Sequence, residues 1–463
     1  MTDLIERTLR RLSQQLHGRL SMPGADRYAA ATAIWAKPTG RNPRAVAHCL
    51  TAEDVQSAIR AARDGDLSLS VRGGGHDWAG RALCDGLVVD LSGMKEVVIG
   101  SDNRTAQISG GARAADVLAV TDPFDLAAVT GSVGAVGMAG FTLGGGYGAL
   151  IGRFGLALDN LLAAEVVLAD GRVVVAKHDN EEELFWALRG GGGNFGVVTA
   201  MRHRLHNLPS VRSGMLIYPS SEAQAILESC ADITASTPEG LTVQLGFVAG
   251  PDGAPVVFVA PTWCGLPEEG EARVAPFLKL GTLLASTVEV TSYSASLTAF
   301  DAYIVNGQRT FMETCWLPAL DSRSTGVFIQ AMETAVSPGC AVFTHEFKGA
   351  ASRVPEAATA FAFAATMCSS RSSPRSPIGR TGSKNNDISS GPAPLFGTLI
   401  KWYFPVDIRT SSRGAMRTAR RKAMVATSNG SSKPSGITIP ITSSAPRFHC
   451  QSVRTVTGVM ARL

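Results

Sequence analysis

The stretch Gly131-Ser132-Val-Gly-Ala-Val136-Gly137-Met-Ala-Gly140-Phe-Thr-Leu-Gly144-Gly145-Gly146-Tyr-Gly148 decides how this chain is read. It is too rich in glycine for the interior of a helix or strand, where each glycine costs about 1 kcal/mol relative to alanine. A flexible linker fits poorly as well, because Val136, Leu143 and Leu150 are apolar anchors and no Ser/Gly repeat is present. A main chain wrapped along a ligand is the better account. Upstream, Leu67, Leu69 and Val71 alternate with polar residues and lead directly into Arg72-Gly73-Gly74-Gly75-His76-Asp77. Three glycines at the end of a strand let successive N–H groups point at one anion, as a pyrophosphate requires. The plainer alternative is a tight loop with an incidental histidine. Neither a Gly-x-Gly-x-x-Gly turn opening a helix after the first strand nor a phosphate loop ending in Gly-Lys-Ser/Thr is present.

Around these tracts the pattern alternates between helix and strand. Thr51-Ala-Glu-Asp reads as a helix cap, with Val55, Ala58, Ile59 and Ala62 at helical spacing until Gly65. Leu87–Leu91 reads as a buried strand. Residues 163–168 and 173–176 read as a hairpin closed by Asp170-Gly171. Asn180 is expected to cap a helix through Leu188, and 197–205 is a further strand. Strand-like runs at 241–248 and 256–260 then alternate with helical stretches at 223–230 and 274–280. The fold class is α+β. Residues 1–41 read as an N-terminal helix and linking loop, 42–210 as a ligand-binding domain, and 211–363 as a substrate domain whose sheet is covered by helices.

The chain has 463 residues and a formal net charge of +4, too small to point to nucleic acid or a membrane surface. No run reaches the roughly 18–20 apolar residues of a membrane span, and the acidic start is not a secretory signal. Eight cysteines without paired spacing argue against a disulfide scaffold or a metal site and favour a reducing, cytoplasmic setting.

Taken in order with Arg153-Phe-Gly-Leu-Ala-Leu-Asp159-Asn160, Val166-Val-Leu-Ala-Asp170-Gly171 and Leu188-Arg-Gly-Gly-Gly-Gly193-Asn194-Phe195-Gly196, the two tracts resemble the FAD-linked oxidases of the berberine bridge enzyme type, within the vanillyl-alcohol-oxidase superfamily. The resemblance runs from about Tyr28 to Pro209. It implies a two-subdomain PCMH-type FAD-binding domain over 42–210. FAD would be covalently linked from His76 to the methyl carbon on the flavin's benzenoid edge. It further implies that Arg72, Gly73, Gly74, Gly75 and Asp77 hold the pyrophosphate, and that Gly131, Ser132, Val136, Gly137, Gly140, Gly144, Gly145, Gly146 and Gly148 line the flavin and ribityl chain. Asn194, Phe195, Gly196, Val197 and Val198 would approach FAD from the far side. Doubly linked members carry a cysteine where this chain has Val133, so a single link is expected, with Cys84 a plain core thiol.

The implied reaction is hydride removal from a C–H beside O or N of a small molecule such as a sugar, alcohol or secondary metabolite, with dioxygen as the acceptor. Tyr303 and His345 are the candidate bases. After Phe363 the chain turns Ser-, Arg- and Pro-rich, and 364–463 reads as an irregular tail. A shifted reading frame is the sharper explanation. Taking the third base of each codon with the first two of the next turns Met424-Val-Ala-Thr into a permitted Tyr-Gly-Ser-Asn. The stretch from Gly436 becomes a basic residue followed by Tyr-Asp-Pro-Asp-Asn-Val in the same frame, both patterns that resemble the family's ending. The expectation is a frameshift near Ala364, with an inactive FAD-binding or misfolded product as the rival reading.

Overall fold

A computed structural model describes residues 2–36, 40–298, 306–307, 310–317, 319–335, 340–361, 397–405 and 453–456. Helix Thr2–Gln15 opens the chain. A four-stranded sheet follows in the order Leu20–Ser21, Ala45–His48, Leu87–Asp90, Leu69–Arg72, the last three strands parallel. Helix Ala52–Asp64 packs on it through Val55, Ala58, Ile59 and Ala62, the residues whose spacing predicts the helix. Thr51 and Asp54 form the capping box, and the helix ends at Gly65. Each large side chain buried here is worth about 1.5–3 kcal/mol.

An antiparallel five-stranded sheet forms the second subdomain, ordered Val97–Ile99, Thr105–Ser109, Val197–Arg204, Leu161–Val167, Val173–Lys177. Its last two strands are the expected hairpin, with Gly171 at φ +87° in the turn. The cap assigned to Asn180 is corrected. Helix Glu182–Leu188 starts after Glu181, while the Asn180 amide donates to the Val175 carbonyl and its backbone bridges Lys177. Asn180 therefore closes the preceding strand instead of opening the helix.

Val211–Ser213 enters a ten-stranded sheet. Its main path runs Ala285–Ser286, Leu216–Pro219, Pro255–Trp263, Leu241–Ala249, Ala341–Phe347, Gly397–Pro405, Thr310–Leu317, Val453–Val456. Helices Ala223–Ala235 and Ser322–Glu333 cover one face, burying Ile226, Leu227 and Phe328 against Val243, Leu245 and Phe247. The helical run expected at 274–280 is the short helix Gly270–Val274 followed by a 3-10 segment, Ala275–Lys279, because Pro276 cannot continue an α-helical ladder. The other face meets the glycine-rich domain, and Phe347 shares a core with Leu150 and Ile151. Part of the expected irregular tail departs from that reading: Gly397–Pro405 pairs on both sides within this sheet. Among the described residues no helix is long and apolar enough to cross a membrane.

Buried titratable groups give this fold a defined acid response. Burial pushes the His203 imidazole down to about 4. Burial, with Arg204 and Arg153 nearby, does the same to His206. Both groups favour the folded state above the ordinary histidine value, and that stability is lost as pH falls from about 6.5 to about 4. Asp159 acts oppositely: burial raises it to about 6, against the Leu156 amide and Arg189, so its protonated form favours folding and its ionisation opposes it. Asp159→Asn removes this opposing contribution. Thermal midpoints measured from pH 7 to pH 4 are expected to fall more steeply for the variant than for the wild type; parallel curves would contradict the assignment.

Candidate active site

Arg72 ends its strand inside a buried polar cluster. Its Nη1 lies 2.8 Å from Asp90 Oδ1, and His48 Nδ1 lies 3.0 Å from Asp90 Oδ2. Ser21 Oγ is 2.8 Å from His48 Nε2, and Ser92 Oγ donates to the same Asp90 carboxylate. Burial alone would raise Asp90, but the bonds from His48 and Arg72 outweigh it and hold the carboxyl at about 2. The Arg72 side chain thus anchors the strand end. A Cβ at Gly75, which has φ +77°, would lie 3.3 Å from the guanidinium. Asp77 also turns inward, accepting from the amides of Ala79 and Ala82 and shaping the loop that follows.

Between these anchors the backbone of Gly73–Gly75 meets the second tract. A Cβ at Gly74 would sit 2.5 Å from Gly137 Cα, and one at Gly137 would sit 2.5 Å from Gly74 N. Among the described residues, no group accepts from the backbone N–H of Gly73, Gly74 or Gly75, nor from those of Ser132, Val133, Gly134 and Ala135. Two glycine loops in main-chain contact, with their amides unspent, are a donor set suited to a diphosphate. The residues present therefore fit the FAD that the sequence implies.

Contrary to the reading of the second tract as wholly non-helical, Met138–Leu143 forms a six-residue helix between Gly137 and Gly144. Burial of Met138, Ala139, Thr142 and Leu143 offsets the cost of Gly140, which is exposed with nothing near its missing Cβ. Gly145 and Gly146 take φ +117° and +80°, and Gly148 packs against the Thr130 carbonyl, closing the tract. Tyr293, fully buried, fixes Thr130 through a 2.9 Å hydroxyl contact. The third tract docks here too, as the Leu143 carbonyl accepts from Gly190 and Gly192. Phe361 wedges against both Gly145 and Gly190. Of the far-side residues, Asn194 and Phe195 are exposed, and Gly196 packs against Val166. Val197 and Val198 begin a strand with their side chains buried in the core, so only their main chain is placed to meet a ligand.

His76 emerges from the first tract between two indoles. Its ring centroid is 4.6 Å from Trp35 and 5.5 Å from Trp78. Within the second tract, Tyr147 stands between Gly146 and Gly148 with its ring 4.9 Å from His345 and 5.2 Å from Phe347. Gln244 Nε2 is 3.3 Å from His345 Nε2, and Trp316 lies 4.7 Å from Phe347. His345 is therefore on the sheet face that meets the glycine-rich domain. Tyr303 lies outside the described residues. Sequence reasoning did not single out Tyr147, Gln244, Trp35 or Asp90. Tyr147 was findable as the bulky residue held between two glycines, and Gln244 as the polar position alternating with buried Val243 and Leu245.

Fold and site together define a flavin-binding domain joined to a sheet that closes over it. Residues 43–177 match the family described as FAD binding domain. The chain is 36% identical over 282 residues to (R)-6-hydroxynicotine oxidase of Paenarthrobacter nicotinovorans, covering 60% of this chain and 62% of that protein. The structure is similar to that of 6-hydroxy-D-nicotine oxidase from Arthrobacter nicotinovorans, with a TM-score of 0.69, 27% identity and coverage of 88% of this chain and 84% of that one. Glucooligosaccharide oxidase from Acremonium strictum, described with a 6-S-cysteinyl, 8α-N1-histidyl FAD, shares the fold at a TM-score of 0.70 and 22% identity, covering 90% of this chain and 86% of that one. The resemblance to the berberine bridge enzyme-like, PCMH-type FAD-linked oxidoreductases is thereby borne out, and FAD is the cofactor its binding domain is built for.

Proposed function

We propose that this chain is an FAD-dependent oxidase whose only covalent flavin link is to His76, acting on a small molecule bound against the cluster that Tyr147 forms with the strand carrying His345. The observation that carries it is the contact between Gly74 and Gly137, which sets two runs of unpartnered amides side by side just before the His76 imidazole. Bound FAD would supply the acceptor for a hydride from a substrate C–H beside O or N, with dioxygen as the expected final acceptor. The chain's own part is to bind and to orient. Tyr147, Phe347 and Trp316 form an apolar wall that excludes water. The Gln244 Nε2 amide group donates to His345 Nε2, which fixes the imidazole tautomer with its proton on Nδ1. Val133 offers no sulfur for a second link.

Purified protein is expected to be yellow and to keep its colour in the acid-precipitated pellet. Mass measurement after digestion is expected to find flavin on the His76 peptide alone. A second flavinylated peptide would overturn the single link, and colourless folded protein would overturn the function. Bleaching on anaerobic addition of 6-hydroxynicotine or an oligosaccharide would assign the substrate class. A second reading, an FAD-binding product without turnover, is favoured by the Ser-, Arg- and Pro-rich sequence after Phe363. Yellow protein that no such substrate bleaches, together with a broken frame on resequencing, would support that reading.

A further inference from the structure

We propose that Trp35 and Trp78 form an indole cage that positions the His76 imidazole for bond formation with the flavin. The proposal rests on the covalent link argued above, and it assigns a role to two residues outside the glycine tracts.

Four observations converge on the cage. Trp35 is 6% exposed, and its ring lies 4.6 Å from His76 at an interplanar angle of 38°, a tilted stack. Trp78 meets the same imidazole edge-on at 5.5 Å and 89°, and the two indoles contact each other at 5.3 Å and 60°. Main chain and ring act together, because the Trp35 N–H donates to the Gly75 carbonyl at 2.8 Å, one residue before His76. Trp35 also holds a buried Nε1–H without an acceptor among the described residues. An unmade buried bond of this kind costs about 1–3 kcal/mol, so a purely structural role would be better served by phenylalanine or leucine. An indole N–H beside the linking imidazole is a donor held in reserve for a ligand atom.

The need for a cage follows from the preceding sequence. Three consecutive glycines give the loop little intrinsic stiffness, and a side chain that follows them gains its orientation from its neighbours. Bond formation requires the imidazole nitrogen to be held close to the methyl carbon in a near-attack arrangement, and misplacement by about 1 Å costs on the order of 100-fold in rate. In the step itself the imidazole gives up its N–H proton and forms a C–N bond to the methyl carbon, which loses one C–H proton. The electron pair released, with the two protons, passes to dioxygen as hydrogen peroxide. Trp35 and Trp78 take no part in that exchange. They are positioning residues.

The test compares wild type, Trp35→Leu, Trp35→Phe and Trp78→Leu, each incubated with FAD in air. The covalent fraction is read as flavin retained in the acid pellet relative to flavin released, with thermal midpoints measured in parallel. Trp35→Leu is expected to bind FAD yet to form the link at least about tenfold more slowly. Trp35→Phe, which keeps a stacking ring but lacks the indole N–H, is expected to recover only part of the rate. Trp78→Leu is expected to slow the link as well and decides the matter should Trp35→Leu not fold. Wild-type rates in a folded leucine variant would overturn the cage. Acid-released flavin in the wild type would instead overturn the covalent reading on which the cage depends.

Discussion

Gly74→Ala is expected to yield protein that is colourless and less stable than wild type by on the order of 3 kcal/mol. The added Cβ would stand 2.5 Å from Gly137 Cα and 2.6 Å from Gly137 N, both main-chain atoms, so no side-chain rotation relieves the clash. The two glycine loops must separate, and the amides of Gly73–Gly75 and of residues 132–135 then no longer face one diphosphate. Flavin content, measured as visible absorbance per mole of purified protein, should fall at least about tenfold, the equivalent of about 1.4 kcal/mol in affinity. Gly140→Ala supplies the contrast. Its Cβ meets nothing within 4 Å, and alanine is the better helix former by about 1 kcal/mol, so the chain alone tolerates it. A Gly74→Ala protein that stays yellow with an unchanged midpoint would sink the cradle.

Asp90→Ala carries the second large effect. The carboxylate holds Arg72, His48 and Ser92 together in a pocket where the Arg72 side chain is 7% exposed and that of Asp90 4%. Removing it leaves a buried guanidinium unpaired, at a cost of about 3–5 kcal/mol. The strand end that launches Gly73 loses its anchor with it, so flavin retention should fall alongside stability. The pH dependence has a definite sign. A carboxyl held at about 2 contributes stability that is present above the ordinary value of 3.8 and is lost as pH falls through about 2. Wild type should therefore lose stability over that acid range, and Asp90→Asn should lose less of it. Equal midpoints for Asp90→Ala and wild type at neutral pH would remove the anchor from the argument.

Much of the flavin half was legible in the sequence because its signals are local. Glycine tracts must be glycine wherever main chain meets main chain, and Gly74 against Gly137 is such a contact. Helix Ala52–Asp64 announces itself by cap and period, and the hairpin by its Asp-Gly turn. The substrate half was less legible because its site is assembled from residues far apart. Gln244 and His345 are 101 positions apart, and Tyr147 reaches His345 from another domain. Asp90 was hidden for the same reason: one buried carboxylate serves residues from two other strands and a turn, and no spacing rule reports such a hub. The indoles around His76 repeat the lesson, since Trp78 was within reach of the motif and Trp35 was not.

Gly397–Pro405 lies between Ala341–Phe347 and Thr310–Leu317 in the sheet, paired to both. During synthesis the flavin-binding half, whose last strand ends at Asn207, leaves the ribosome well before this strand exists. The nascent chain must therefore carry open strand edges, the kind that recruit other chains, until Gly397–Pro405 emerges. The later that strand arrives, the longer those edges stay exposed, and a stop codon before it would leave them open.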